Sequence, residues 1–322
     1  MNCNRCEADA VIFQAYSGAH LCEEHLRRSV EKRVRRRIRR DGLLATDATP
    51  SDPDVWIIGL SGGKDSAVLT HILDETLRED PRIELVAVTI HEGIAGYRDE
   101  SVTACRELTA ERDIQHELIR YEDEFDITMD TVANDESASL ATCSYCGVFR
   151  RDILHRMAEE FDGDLLLTGH NLDDEAQTAM MNFLAGDVDQ MAKHFEASLG
   201  ALADRKPQER FIPRAKPLRD IPEREVALYA HFENIPAHIT ECPHADEAFR
   251  GTIQRILHSL EEDHPGTKHS IMAGYERMAS LATNHREGDD ASDLTTCETC
   301  GSPTMGDRCR RCEFLDQLVP TA

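Results

Sequence analysis

Three groups of residues in this chain have the types and spacing to do chemistry. Ser61-Gly62-Gly63-Lys64-Asp65-Ser66 puts two glycines, two hydroxyls and a cation in six positions. Such a turn lets backbone N–H groups close on an anion, with side-chain donors and a charge added. Gly169-His170-Asn171-Leu172-Asp173-Asp174-Glu175 places neighbouring carboxylates where they can hold Mg²⁺ or handle a proton. The third group is thiol: Cys143-x2-Cys146 and, nearly a hundred residues on, Cys242. Three thiols are one ligand short of a structural zinc site, and the open corner suits an iron–sulfur cluster whose free iron takes an exogenous sulfur species. The competing chemistry makes Cys146 and Cys242 redox partners, one carrying a persulfide and the other resolving it.

The chain has eleven cysteines, and most of the others fall at its ends. Cys3-x2-Cys6 and Cys22-x2-His25, fifteen residues apart, suit one tetrahedral zinc. Cys297-x2-Cys300-x8-Cys309-x2-Cys312 is a zinc-ribbon pattern of four thiolates. Cys105 has no partner at metal spacing and reads as structural.

These groups need strand ends and helix starts to hold them. Val55 to Leu60 is an apolar run that reads as a buried strand, and 67–73 behind the glycine turn has helical spacing. The turn is not a Walker A loop: Ile58 stands where the first glycine is required, and Asp65 follows Lys64. Further strands are predicted at 84–90, 116–120 and 165–168, with helices near 99–113, from Gly147 onward, from Glu223 to Asn234, and over 247–264 and 267–284. Alternating strand and helix imply an α/β fold, a doubly wound parallel sheet with ligands at the carboxyl ends of its strands. His91 falls at that edge, within reach of a nucleotide. Arg150 and Arg151 follow the C-x-x-C pair, where they can meet phosphate. The expected organisation is an N-terminal zinc finger (1–25), a basic helix and linker (26–54), a catalytic domain with the central thiols (55–245), a helical extension (246–290) and a C-terminal zinc ribbon (291–322). A polar linker is expected over 285–296.

The formal net charge of −25, from 61 acidic against 36 basic residues, points to a surface adapted to strong salt. There is no apolar stretch of membrane-spanning length and no apolar signal core, so a cytoplasmic protein with no membrane partner is expected. Against this acidity, Arg35, Arg36, Arg37, Arg39 and Arg40 lie in a dense positive block, a footprint for a polyanion.

Ser-Gly-Gly-Lys-Asp-Ser at 61–66 resembles the PP-loop of the N-type ATP pyrophosphatases, which transfer AMP and release pyrophosphate. Together with Thr-Cys-Ser-Tyr-Cys-Gly at 142–147, Gly-His-Asn-Leu-Asp-Asp-Glu-Ala at 169–176, Lys-Pro-Leu-Arg at 216–219, Glu-Cys-Pro at 241–243 and metal knuckles at both ends, it resembles the TtuA and cytosolic-thiouridylase branch of tRNA 2-thiolation enzymes. That resemblance implies ATP-dependent adenylylation of the C2 oxygen of a tRNA uridine, then displacement of AMP by sulfur to give 2-thiouridine. In the family it resembles, T-loop thiolation goes with heat adaptation, so for a chain of salt-adapted composition the resemblance implies the wobble uridine. It implies ATP, Mg²⁺, two Zn²⁺ and one [4Fe-4S] cluster on Cys143, Cys146 and Cys242, and a nucleotide site built from Gly59, Ser61, Gly62, Gly63, Lys64, Asp65, Ser66, Val88, His91, Arg150, Gly169 and Asp174. The acid after Gly-His-Asn matches Asp173 or Asp174, with Asp174 preferred. A ubiquitin-like sulfur carrier charged by an E1-like enzyme, tRNA, and a homodimeric state are also implied. The rivals are another PP-loop tRNA modification, such as cytidine thiolation or a lysidine-type ligase, and a non-catalytic zinc-ribbon RNA-binding adaptor.

Overall fold

The fold rests on a parallel sheet whose strands alternate their side chains between two helical layers. In the computed structural model the described residues are 1–188, 190–191, 212–244, 249–286, 295–304 and 306–318. The expected domain limits at 245/246 and 290/291, and most of the expected linker over 285–296, lie outside them. β1 (Ile12–Gln14) and β2 (Ala19–Leu21) form an N-terminal hairpin, followed by helix α1 (Glu23–Arg40). Then come β3 (Asp54–Gly59), α2 (Lys64–Leu77), β4 (Ile83–His91), α3 (Arg98–Arg112), β5 (Gln115–Arg120), α4 (Tyr121–Phe125), α5 (Met129–Ala133), α6 (Thr142–Glu160), β6 (Leu165–Thr168), α7 (Leu172–Ala185) and β7 (Arg214–Ala215). The C-terminal part holds α8 (Glu223–Phe232), α9 (Phe249–Asp263), α10 (Thr267–Arg286), a short hairpin of β8 (Thr295–Thr296) and β9 (Pro303–Thr304), and α11 (Arg310–Leu318).

The sheet order is β5-β4-β3-β6-β7, and every neighbouring pair is parallel. Trp56 and Ile58 of β3 pack on one face with α1, α2 and α8, whereas Ile57 packs on the other with Tyr145, Phe149 and Ile153 of α6. This is period-two burial on both faces, as a doubly wound sheet requires. Leu172, Ala176 and Ala179 of α7 join Ile253, Leu257, Met272 and Tyr275 in a third cluster that carries the helical extension.

Two helix starts differ from expectation. α6 begins at Thr142 rather than Gly147, so Cys143 and Cys146 lie in its first turns. A glycine in a helix costs about 1 kcal/mol, which burial of Tyr145, Phe149 and Ile153 at helical spacing outweighs, at about 1.5–3 kcal/mol per large side chain. α1 begins at Glu23, directly behind Cys22, and so carries His25. Its buried stripe is Leu26, Val30, Val34 and Ile38, each four residues from the last. Arg37 is buried beside that stripe.

Candidate active site

β3 ends at Gly59, and the chain turns through Leu60–Gly63 into α2. Gly62 takes φ +81°, and a Cβ there would stand 2.9 Å from the backbone carbon of Ser101, so both the conformation and the space call for glycine. Ser66 Oγ donates to Gly63 O at 3.0 Å and accepts from Ser61 N at 3.1 Å, with Ser61 Oγ 3.0 Å away. The loop is thereby closed by its own hydroxyls at the positive end of α2.

β6 delivers the acidic turn to the same place. Asn171 caps α7, its side chain accepting from Asp173 N and Asp174 N, while Asp174 Oδ2 accepts from Asn171 N at 3.2 Å. Asn171 Nδ2 also donates to Asp65 Oδ1 at 3.0 Å, joining this turn to the glycine loop. The two candidate acids then part. Asp173 accepts from Glu223 N at 2.9 Å and pairs with Lys268, so it holds α8 and α10 against α7. Asp174 lines the cavity, and burial pushes its carboxyl up to about 6, against the hydrogen bond from Asn171. A carboxyl titrating near neutrality is fitted to proton handling.

The cavity at the carboxyl edge of the sheet has a volume of about 470 Å³, within the range of small-ligand sites. Of the expected nucleotide residues, Gly59, Ser61, Asp65, Ser66, Val88, Arg150, Gly169 and Asp174 line it. Gly62 and Gly63 shape the loop behind it, and Lys64 is held by Asp65 at 3.0 Å and Glu223 at 2.7 Å. His91 is not on its wall: the residue points away from Ile90 and Glu92, and its Nε2 lies 3.3 Å from Asp99 Oδ1. The expectation for His91 is corrected by strand alternation, because Val88, Ile90 and Glu92 share the cavity face. That period-two signal was available in the sequence and singles out Glu92. Tyr97 and Arg98 were also missed; Arg98 donates to Ser61 O at 3.0 Å, bracing the glycine loop.

The central thiols open beside this cavity. Arg150 lines it, and its Nη2 lies 2.8 Å from Glu92 Oε1 and 3.2 Å from Cys146 Sγ. The Cys146 sulfur and Glu92 hold the guanidinium pKa well above its ordinary range. Burial pushes the Cys146 and Cys242 thiols up. Cys143 is exposed, and its Sγ faces His244 O at 3.4 Å, which brings the Cys242–His244 segment to the start of α6.

Donor sets separate the metal sites by kind. Cys3, Cys6, Cys22 and His25 bring their ligand atoms within 4.8 Å of one another, with Cys6 Sγ 3.6 Å from Cys22 Sγ and His25 Nδ1 3.2 Å from Cys22 Sγ. Cys297, Cys300, Cys309 and Cys312 do the same, with Cys300 and Cys309 sulfurs 3.5 Å apart. Both match the edges of a tetrahedral zinc site. Among the described residues the central three thiols form no such single-ion cage. Three thiols without a fourth protein ligand are a donor set that suits a cluster better than one structural zinc ion.

The basic helix is less available than its composition suggests. Arg36, Arg39 and Arg40 are exposed, while Arg35 is half-buried and faces Glu31 at 3.4 Å. Arg37 is 2 % exposed, pairing with Asp41 at 2.7 Å and Asp220 at 3.2 Å. Its assignment to nucleic acid is therefore corrected to a buried ion-pair anchor.

Comparison with known proteins agrees with this geometry. The PP-loop domain family profile matches residues 30–258, and the profile of the N-terminal LIM domain of 2-thiouridine synthetase TtuA matches residues 2–27. The chain is 62% identical to the tRNA 2-thiolation protein NcsA of Haloferax volcanii, over 99% of both chains. It is 31% identical to cytoplasmic tRNA 2-thiolation protein 1 of Danio rerio, over 99% of this chain and 88% of that one. The structure of the U34-tRNA thiolase NcsA of Methanococcus maripaludis with its [4Fe-4S] cluster superposes with a TM-score of 0.81 at 32% identity, covering 100% of this chain and 97% of that one.

Proposed function

The chain belongs to the NcsA-type tRNA 2-thiolation family of PP-loop proteins, and from that premise we propose that it adenylylates the C2 oxygen of the wobble uridine of tRNA and replaces that oxygen with sulfur. The observation that carries the proposal is the single cavity shared by the glycine loop, Asp174 and Arg150, whose guanidinium touches Cys146. One site thus holds nucleotide and opens onto thiols.

In the first step the uridine oxygen attacks the α-phosphorus of ATP, forming an O–P bond and releasing pyrophosphate. The N–H groups of 61–66 and the positive end of α2 offset the charge that develops on phosphate; Asp65 and Asp174 would hold Mg²⁺, which would add to that electrostatic stabilisation. In the second, sulfur attacks C2 and the C–O bond breaks, with AMP leaving. An amide-like oxygen leaves poorly until it is a phosphate ester, so adenylylation makes the exchange possible. The [4Fe-4S] cluster held by Cys143, Cys146 and Cys242 supplies, when bound, an open iron corner for exogenous sulfur.

The family resemblance supports a ubiquitin-like carrier with a terminal thiocarboxylate as sulfur source, charged by an E1-like enzyme, and a homodimeric, cytoplasmic protein. Cys3, Cys6, Cys22 and His25, and Cys297, Cys300, Cys309 and Cys312, each hold one Zn²⁺. Exposed Arg36, Arg39 and Arg40 bind tRNA backbone.

The test is anaerobic thiolation of tRNA lacking 2-thiouridine, with ATP and a sulfide source, read by nucleoside mass spectrometry. Wild-type protein is expected to form 2-thiouridine with AMP and pyrophosphate in equal amounts. Cys146→Ala is expected to form none while binding ATP within severalfold of wild type. Thiolation without ATP consumption, or an active Cys146→Ala, would overturn the proposal.

A further inference from the structure

We propose that Tyr145, between Cys143 and Cys146, is a positioning residue for the central thiols, and that the C-terminal four-thiol module fixes its place through α11. This rests on the reading that these thiols hold the cluster.

The chain of contacts starts inside the module. Cys312 lies in the first turn of α11, and Glu313 N donates to Cys309 O at 3.1 Å, so an ion closing the four thiols also fixes the start of α11. From there Phe314 reaches α6, its ring centroid 4.3 Å from that of Tyr145 and 6.3 Å from that of Phe149. Both Tyr145 and Phe314 are buried. Tyr145 donates its hydroxyl to Gln317 Oε1 at 3.0 Å and accepts from Ser139 N at 3.0 Å. Gln317 Nε2 in turn donates to Ser139 Oγ at 3.1 Å. Arg311 closes the seam on Asp152 at 2.8 Å. α11 thereby engages α6 at 145, 149 and 152, along one helix face.

What this seam restrains is the part of α6 with least restraint of its own. The first four N–H groups of a helix lack intrahelical partners, and the capping residue Ala141 offers no side-chain bond. Cys143 stands in that stretch and Cys146, the fifth residue of α6, directly behind it, so the spacing of their sulfurs follows the conformation of the turn. The anchor at Tyr145 is supplied from 172 residues away in sequence, by a module with no residue on the nucleotide cavity. Loosening α11 should therefore disturb the thiols and spare the nucleotide site.

The experiment uses full-length protein in two forms, iron-free and anaerobically reconstituted, with Phe314→Ala, Phe314→Leu, Gln317→Ala and Cys309→Ser. In the iron-free form, iodoacetamide labelling of half-buried Cys146, with exposed Cys143 as the reference, is followed by peptide mass spectrometry. In the reconstituted form, iron content and bleaching of the visible band in air are followed, with ATP affinity as control. Labelling and bleaching are expected to rise about fivefold to tenfold in Phe314→Ala and Cys309→Ser, as local opening becomes easier. A smaller rise is expected in Gln317→Ala, a return toward wild type in Phe314→Leu, and ATP affinity within about twofold. Unchanged labelling and bleaching in all variants overturn the proposal. If Phe314→Ala does not fold, Gln317→Ala, a polar change on a half-buried residue, decides it. Wild-type protein that takes up no iron would overturn the cluster reading, while the labelling of iron-free protein still decides the positioning role.

Discussion

Glu92 accepts a hydrogen bond from Arg150 at 2.8 Å, and the same Arg150 nitrogen stands 3.2 Å from Cys146 Sγ. Glu92 is 1 % exposed and also pairs with Arg98, which braces the glycine loop. One buried carboxylate thus pairs with two guanidinium groups, both on the cavity wall. Glu92→Gln leaves buried Arg98 uncompensated and lets Arg150 swing. The expected loss of stability is about 3 kcal/mol, as for breaking a buried pair, with a fall in single-turnover thiolation of at least about tenfold from lost positioning. Urea unfolding and rapid-quench thiolation check the two parts. A variant with wild-type stability would assign Glu92 to a solvated role.

Asp174→Asn is expected to abolish thiolation and stabilise the fold. Burial raises this carboxyl to about 6, whereas it titrates near 4 in the unfolded chain. The folded state binds the proton more tightly, so the contribution of Asp174 to stability is present below about pH 4 and is lost as pH rises through about 6. Ionised Asp174 at neutral pH therefore costs roughly 2–3 kcal/mol. Asparagine keeps an acceptor for Asn171 N and carries no charge. Its stabilisation should be larger at pH 8 than at pH 5 by roughly 1 kcal/mol, measured by urea unfolding at both. Wild-type activity should fall as pH drops below about 6, where the carboxylate is lost. A stability gain independent of pH would remove the raised pKa from the account.

The strands and helices around this acid were legible because two-sided burial left its mark: 165–168 is observed as expected, and Glu223 starts its helix as the proline before it suggests. What the sequence concealed depends on partners distant along the chain. Gly147 looks like a helix start until Phe149 and Tyr145 are seen under Phe314. Arg37 is one of several arginines until Asp220, 183 residues on, is found against it. His91 and Glu92 are the exception: the alternation along β4 that puts Val88, Ile90 and Glu92 on the cavity wall is local and stands in the sequence itself.

The arginines of α1 should divide into two classes. Replacing exposed Arg36, Arg39 and Arg40 by alanine is expected to weaken tRNA binding and reduce the slope of log K against log salt by about 2, since each phosphate contact contributes roughly 0.7–0.9. Stability should hardly change. Arg37→Ala strands Asp41, which is 6 % exposed at its side chain, and should cost about 3 kcal/mol with the salt slope intact. Filter binding across a salt series and thermal unfolding read the two effects. An unchanged slope in the triple variant would return those side chains to the solvated surface.

Gly169→Ala tests whether close backbone approach builds the nucleotide site. A Cβ on Gly169 would stand 2.7 Å from Ser66 N and 2.8 Å from Asp65 C and Ser66 Cα, all backbone atoms of the glycine loop's exit into α2. These cannot rotate away as a side chain would. β6 is fixed to β3 through the Gly59↔Thr168 register, so the strain must be relieved at the loop end, by parting the turn that carries Asp174 from the loop that carries Ser61 and Ser66. Overpacking of this kind costs about 1–3 kcal/mol, and a shift of several tenths of an ångström between the two halves of the cavity should lower ATP affinity by about tenfold or more. Gly63→Ala is the control: its Cβ would meet only Ser61 Oγ, at 3.5 Å, an ordinary contact. It should leave stability within about 1 kcal/mol of wild type. Calorimetric titration with a nonhydrolysable ATP analogue distinguishes them, because equal affinities for wild type and Gly169→Ala would mean that the distance between the two turns does not set the site.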